Sequence, residues 1–222
     1  MKRIGVFGGT FNPIHVAHLR LAQDVIENYR FEKIIFIPNF TPPHKNIDVW
    51  IDPIHRLNMV KLAIQGNPDF LYEDVEFKRG GVSYTIDTIR FLYEKYKFEG
   101  KPGFLLGSDL IGDIGAWKDI RELANLVEFI VLWRDETTSL SKVSGRNTKV
   151  DINFRDSTPE TINISIGDGR AGEFSITIDK IVCRRMDITA SEIRRMIRTG
   201  KSVRYLVTGE VFDYIEKHRL YR

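Results

Sequence analysis

Two histidines three residues apart, His15 and His18, close the stretch GGTFNPIHVAH at residues 8 to 18. At that spacing both imidazoles share one face of a helix turn. Gly8 and Gly9 stand ahead of them, directly after the apolar run IGVF at 4 to 7, and Pro13 lies where the next helix is about to start. A glycine turn and a helix start each expose backbone N–H groups, and the positive end of the helix dipole points the same way, so together they make an anion site suited to a polyphosphate. Imidazoles beside such a site donate hydrogen bonds to phosphate oxygens without the fixed charge of lysine. Those bonds strengthen as negative charge builds in a transition state.

Taken singly, these features are weak. A glycine pair also permits an ordinary tight turn, and two histidines also decorate exposed helix faces. The order strand, glycines, Thr10, proline, paired histidines is what builds a phosphate site. A zinc centre needs more ligands than two histidines supply, and no protein ligand to a metal is expected.

Elements that must hold this site follow from the apolar pattern. IGVF, IIFI at 34 to 37, FLL at 104 to 106 and FIVLW at 129 to 133 read as buried strands. Between them, Ala22, Val25, Ile26 and Tyr29 recur at helical spacing, as do Leu57, Val60 and Ile64, and then Ile86, Ile89, Tyr93 and Tyr96. Asp52 before Pro53 marks one helix start, and Ser83 is the expected cap of another. The alternation predicts an α/β fold: a Rossmann-like doubly wound parallel sheet with helices on both faces. Residues 134–180 depart from the pattern, with alternating runs VDINF, INISI and FSITI that read as short strands of an inserted β-rich arm or flap, or else as loop. IVC at 181 to 183 is expected to return to the sheet. Ala190 to Thr199 and Gly209 to His218 read as closing helices, and Thr189 with Glu192 as a capping box.

The 222 residues, 42% hydrophobic, suit a single domain spanning 1–222, with the arm part of it and not a separate core. Thirty-three basic against 30 acidic residues leave a net charge of +3, too little for a nucleic-acid binder and suited to a small anionic ligand. One cysteine, Cys183, excludes an intrachain disulfide, and no apolar stretch reaches membrane-spanning length. A cytoplasmic, unprocessed protein is expected, with homo-oligomers possible.

GGTFNPIHVAH, PPHK at 42 to 45, SYTIDT at 83 to 88, GSD at 107 to 109, Trp117 and ITASEIR at 188 to 194 together resemble the His-x-Gly-His nucleotidyltransferases, and within them the bacterial nicotinate-nucleotide adenylyltransferases. Three positions depart from the family pattern: Ala17 replaces the glycine between the histidines, Thr189 stands for serine, and Ser191 for threonine. The resemblance implies transfer of AMP from ATP, with Mg²⁺, to nicotinic acid mononucleotide, giving the dinucleotide and pyrophosphate. It further implies that His15, His18, Lys45 and Arg194 act in catalysis. ATP then contacts Gly8, Gly9, Thr10 and Phe11 at the first turn, Gly107 and Asp109 past the fourth strand, and Ile188, Thr189, Ser191 and Arg194 at the late helix. His44, Lys45, Tyr84, Thr85 and Trp117 take the mononucleotide, with Trp117 stacking on the nicotinate ring. Lys45, which would otherwise be a solvated side chain, rides a loop stiffened by Pro42 and Pro43. His55, Arg56 and His218 are expected to be surface or helix-face groups.

Three other readings compete. A sister enzyme acting on nicotinamide mononucleotide or phosphopantetheine shares the phosphate machinery. A tRNA-synthetase fragment shares the histidine pair, but no KMSKS-like segment is present. A sensor that binds ATP without turnover has no need of His15, His18, Lys45 and Arg194 together.

Overall fold

The computed structural model describes residues 3–42, 51–133, 148–151, 160–166, 174–182 and 186–222. His44, Lys45, Cys183 and most of the expected arm lie outside them. The chain divides into two compact units, Met1–Val6 with Tyr84–Arg185 and Phe7–Ser83 with Met186–Arg222.

The second unit carries the histidine motif. Strand β1 (Ile4–Gly9), whose second half belongs here, is followed by helix α1 (Val16–Tyr29), β2 (Lys33–Pro38), α2 (Pro53–Ile64), β3 (Phe70–Tyr72) and α3 (Val75–Arg79). The strands lie in the order β3-β2-β1, and β2 pairs parallel with β3, Ile34 opposite Phe70. Ile34, Ile35, Phe36 and Ile37 are all buried, as a strand covered on both faces requires. Ala17, Leu21, Ala22 and Val25 turn the α1 stripe into that core. Asp52 caps α2 by accepting from the Ile54 N–H at 3.0 Å, with Pro53 in the first helical position, as its sequence predicts. Helices α6 (Ala190–Arg198) and α7 (Gly209–Lys217) complete the unit, and α7 packs on α2.

In the first unit the order is β1-β4-β5-β8-β7-β6, built from β4 (Gly103–Gly107), β5 (Glu128–Trp133), β6 (Thr148–Asp151), β7 (Glu160–Ile166) and β8 (Phe174–Val182). Helix α4 (Thr85–Lys95), a 3-10 helix over Ser108–Ala116 and α5 (Ile120–Leu126) connect them. β4 pairs parallel with β5 and β5 with β8, while β8 pairs antiparallel with β7 and β7 with β6. The expected α/β, Rossmann-like class is the one observed. FSITI and the expected return strand are one element, β8, which pairs with β5 through Phe129 and Ile178. The later half of the expected arm therefore extends the main sheet.

One expected cap is corrected. Tyr84, not Ser83, occupies the N-cap of α4, and the buried Ser83 hydroxyl instead accepts from the Phe40 N–H at 2.9 Å. No helix among the described residues is long and apolar enough to cross a membrane.

Candidate active site

In the second unit β1 ends on Gly8 and Gly9. A Cβ on Gly9 would lie 2.9 Å from the tip of the Phe11 ring, so the absent side chain is what lets that ring fold back over the turn. Phe11 sits at φ 46°, a left-handed conformation uncommon for a bulky residue, of the kind that costs about 1–3 kcal/mol and gathers at functional sites. Packing offsets the strain: the ring meets Phe7 edge-on at 5.6 Å, Phe36 at 5.9 Å and His18 at 5.2 Å.

His15 is the N-cap of α1 and His18 its third helical residue. The His15 backbone N–H donates to His18 Nδ1 at 3.2 Å, and the two rings stack with centroids 3.7 Å apart. A ring whose Nδ1 accepts carries its proton on Nε2, so the backbone sets the tautomer and makes the far edge of His18 a donor. The Val16 N–H is taken by the Leu206 carbonyl at 3.0 Å, which ties the helix start to the C-terminal segment. Ala17 is buried, so the methyl added to the family's glycine position points into the core and gains helix propensity.

Asn12 anchors the loop between turn and helix. Its carbonyl accepts from Arg194 Nη1 at 2.8 Å, and its side-chain oxygen accepts from the Tyr221 hydroxyl at 2.7 Å. Burial pushes the Tyr221 hydroxyl far above its ordinary pKa, against the pull of Arg194 and Arg56. Replacing Tyr221 with phenylalanine removes this donor from the buried Asn12 oxygen and is expected to cost about 1–3 kcal/mol in urea unfolding. A loss under about 0.5 kcal/mol would remove this contact from the account of stability. The raised hydroxyl stabilises the fold below its unfolded pKa of about 10, and that contribution fades as pH rises further, a dependence the variant lacks.

Arg56 overturns its expected surface position. It is 1% exposed, and its guanidinium donates to three carbonyls: Thr10 at 2.8 Å, Asn39 at 2.6 Å and Phe40 at 2.7 Å. Burial lowers its pKa, yet a guanidinium stays charged across the pH range of folded proteins. An arginine on an amphipathic helix usually faces water, so residue type alone points it to the surface. The one available signal was its place beside Leu57 and before Val60, on the apolar stripe. His55 is half-buried, its Nδ1 2.9 Å from the Tyr214 hydroxyl, while His218 is exposed as expected.

At α6, Thr189 is the N-cap and accepts from the Glu192 N–H at 3.1 Å, as its sequence predicts. Arg194, 8% exposed, donates from Nη2 to the Ser191 hydroxyl at 3.0 Å as well as to Asn12. Ile188 is half-buried ahead of the cap. The structure thus brings Gly9, Thr10, Phe11, His15, His18, Ser191 and Arg194 into one connected set through Asn12 and the aromatic cluster.

Five further sequence candidates belong to the first unit. Gly107 ends β4, and a Cβ there would collide with the Asp109 carboxylate, which folds back over the glycine. Trp117 caps the 3-10 helix and packs edge-on against Phe104 at 5.8 Å and Phe129 at 6.4 Å, remaining half-buried. Tyr84 and Thr85 open α4, with Lys118 Nζ 4.7 Å from the Tyr84 ring centre and 3.0 Å from the Asp87 carboxylate. Among the described residues no group of three or more His, Cys, Asp or Glu could hold a metal ion.

Residues 6–196 match the cytidylyltransferase-like family model. A probable nicotinate-nucleotide adenylyltransferase of Citrifermentans bemidjiense is 36% identical over 220 residues, covering 99% of this chain and 98% of the relative. One of Caldicellulosiruptor saccharolyticus is 37% identical, covering 99% of each. In fold, the chain is similar to Plasmodium falciparum nicotinic acid mononucleotide adenylyltransferase complexed with NaAD, with a TM-score of 0.68 at 20% identity over 100% of this chain and 98% of that one.

Proposed function

We infer the reaction from one premise: the chain belongs to the cytidylyltransferase-like family and, within it, to the nicotinate-nucleotide adenylyltransferases. It is a nucleotidyltransferase that moves AMP from ATP to nicotinic acid mononucleotide, releasing pyrophosphate and forming nicotinic acid adenine dinucleotide for NAD biosynthesis. The observation that carries this reading beyond the family is the His15 N–H held by His18 Nδ1, which leaves a phosphate donor at Nε2.

An oxygen of the mononucleotide's phosphate attacks the α-phosphorus of ATP in line, and the bond to the bridging oxygen of pyrophosphate breaks. Little proton transfer is needed, so positioning and charge stabilisation do the work. His18 donates to the α-phosphate as charge builds there, with His15 and Thr10 on neighbouring oxygens and Gly8, Gly9 and Phe11 supplying the close backbone. Arg194 supports the turn through Asn12 and keeps donor capacity for the β and γ phosphates, beside Ser191 and the N–H groups at the start of α6. His44 and Lys45 supply positive charge from the PPHK loop. Asp109, at the end of β4, accepts from the ribose hydroxyls.

Mg²⁺ would come with ATP as part of the substrate and would offset the charge of its phosphates. Trp117 stacks on the pyridine ring. The N–H groups opening α4 and the Thr85 hydroxyl hold its carboxylate. The family match runs through both units, which supports one catalytic domain over 1–222. A net charge of +3 agrees with small-molecule partners and no nucleic acid, and the single cysteine with a cytoplasmic setting.

A single-turnover assay with MgATP and nicotinate mononucleotide, nicotinamide mononucleotide or phosphopantetheine tests the assignment. The acid is expected to be preferred at least ~100-fold over the amide, because a site built around a carboxylate is left with unpaired donors by the neutral group. Equal rates, or preference for either alternative, would overturn the substrate.

A further inference from the structure

We propose that Arg56 is a positioning residue for adenylyl transfer, fixing the direction of the Phe11 backbone N–H in the turn that receives the substrate's phosphates. The proposal rests on the phosphate-handling role given above to the turn after β1. Three carbonyls from two separate segments converge on this one buried guanidinium: Thr10 after β1, and Asn39 and Phe40 after β2. No carboxylate hydrogen-bonds it in their place among the described residues. The ring of Phe77, on α3, lies under the guanidinium, 6.0 Å from its carbon.

Peptide planarity turns those contacts into a statement about donors. In a trans peptide the C=O and the following N–H point in opposite directions. A Thr10 carbonyl drawn inward to Arg56 therefore sends the Phe11 N–H outward. The Phe40 carbonyl turns the Thr41 N–H away from Arg56 as well, toward the bridge that Thr41 makes with Val82. The Asn39 peptide provides an internal check: its carbonyl meets Arg56, and its N–H partner, that of Phe40, is found on the Ser83 hydroxyl.

Arginine is required for geometric reasons. A planar guanidinium offers five N–H donors in a fixed fork and meets three carbonyls at once, whereas an ammonium on a flexible stem keeps the charge without the plane. Arg56 also lies behind both segments, not over them, so it acts through Thr10 and does not touch the phosphates itself. Its positive charge sits beneath the turn, where it adds to the field that favours an anion.

The test compares Arg56→Lys with wild type, measuring the MgATP dissociation constant by calorimetry, kcat and both KM values, and the unfolding midpoint. Arg56→Lys is expected to weaken MgATP binding at least ~10-fold and lower kcat with it, while the KM for the mononucleotide changes less than threefold. Arg56→Ala, with guanidinium chloride added well below denaturing levels, is expected to regain part of the lost kcat/KM, and wild type to gain none. Should the alanine variant fail to fold, the lysine variant alone decides. A lysine variant that only unfolds earlier, with MgATP affinity and kcat intact, would reduce Arg56 to a structural residue and overturn the proposal. Wild-type enzyme that binds MgATP but adenylylates no nicotinate mononucleotide would defeat the substrate assignment instead, and the calorimetric comparison separates the two failures.

Discussion

Substituting alanine for His18 lowers turnover by at least ~100-fold while MgATP affinity falls much less, the expected consequence of losing one preorganised donor to the transition state. The geometry allows a sharper version. His18 Nδ1 accepts the His15 N–H at 3.2 Å, which puts the ring proton on Nε2, the donor proposed to meet the phosphate. Asparagine places an acceptor near the position of Nδ1 and nothing at Nε2. His18→Asn is therefore expected to keep the helix start intact and to lose turnover nearly as fully as alanine. Alanine additionally gives up the cap contact, worth about 0.5–2 kcal/mol of stability. Steady-state kinetics and urea unfolding on the two variants separate the roles. An asparagine variant with wild-type turnover would sink the catalytic assignment.

Phe36→Ala destabilises the protein by about 3–5 kcal/mol, the range for deleting a large buried aromatic side chain. Phe36 is 0% exposed on β2 and touches three other rings, Phe7 at 5.6 Å, Phe11 at 5.9 Å and Phe70 at 5.2 Å. Removing it opens a cavity directly beneath Phe11, the residue at positive φ in the turn after β1. The loss therefore reaches the site: Phe11 no longer has a floor to hold it at positive φ, and the edge contact with His18 loosens. A midpoint shift in urea at unchanged slope measures the stability effect, and kcat measured well below the unfolding transition reads the loosening. A cost under about 1 kcal/mol would mean that the cluster repacks freely.

Much of this was legible along the chain because spacing and periodicity are local properties. Three-residue separation puts His15 and His18 on one turn wherever that turn lies, and Asp52 before Pro53 starts a helix in any fold. FSITI alternates as a strand should, and β8 contains it. The same locality explains the misses. Ser83 precedes a helix and has the right chemistry for a cap, but Phe40, 43 residues earlier, competes for its hydroxyl. Arg56 considered alone belongs at the surface, because burying one unpartnered charge is costly. Three carbonyls from distant segments meet that cost together, and they come together only when β1, β2 and α2 pack.

Asn12 makes the same point at longer range, with its partners Arg194 and Tyr221 lying 182 and 209 positions away. Residue types and their spacing already put two imidazoles, His15 and His18, on one face of a helix turn behind a glycine pair. That Arg56 stands against the Thr10 carbonyl of the turn after β1 comes from packing and not from neighbours in the chain. Donor type and spacing are set by neighbours in the chain, whereas satisfaction of a buried polar group depends on which distant segments arrive beside it.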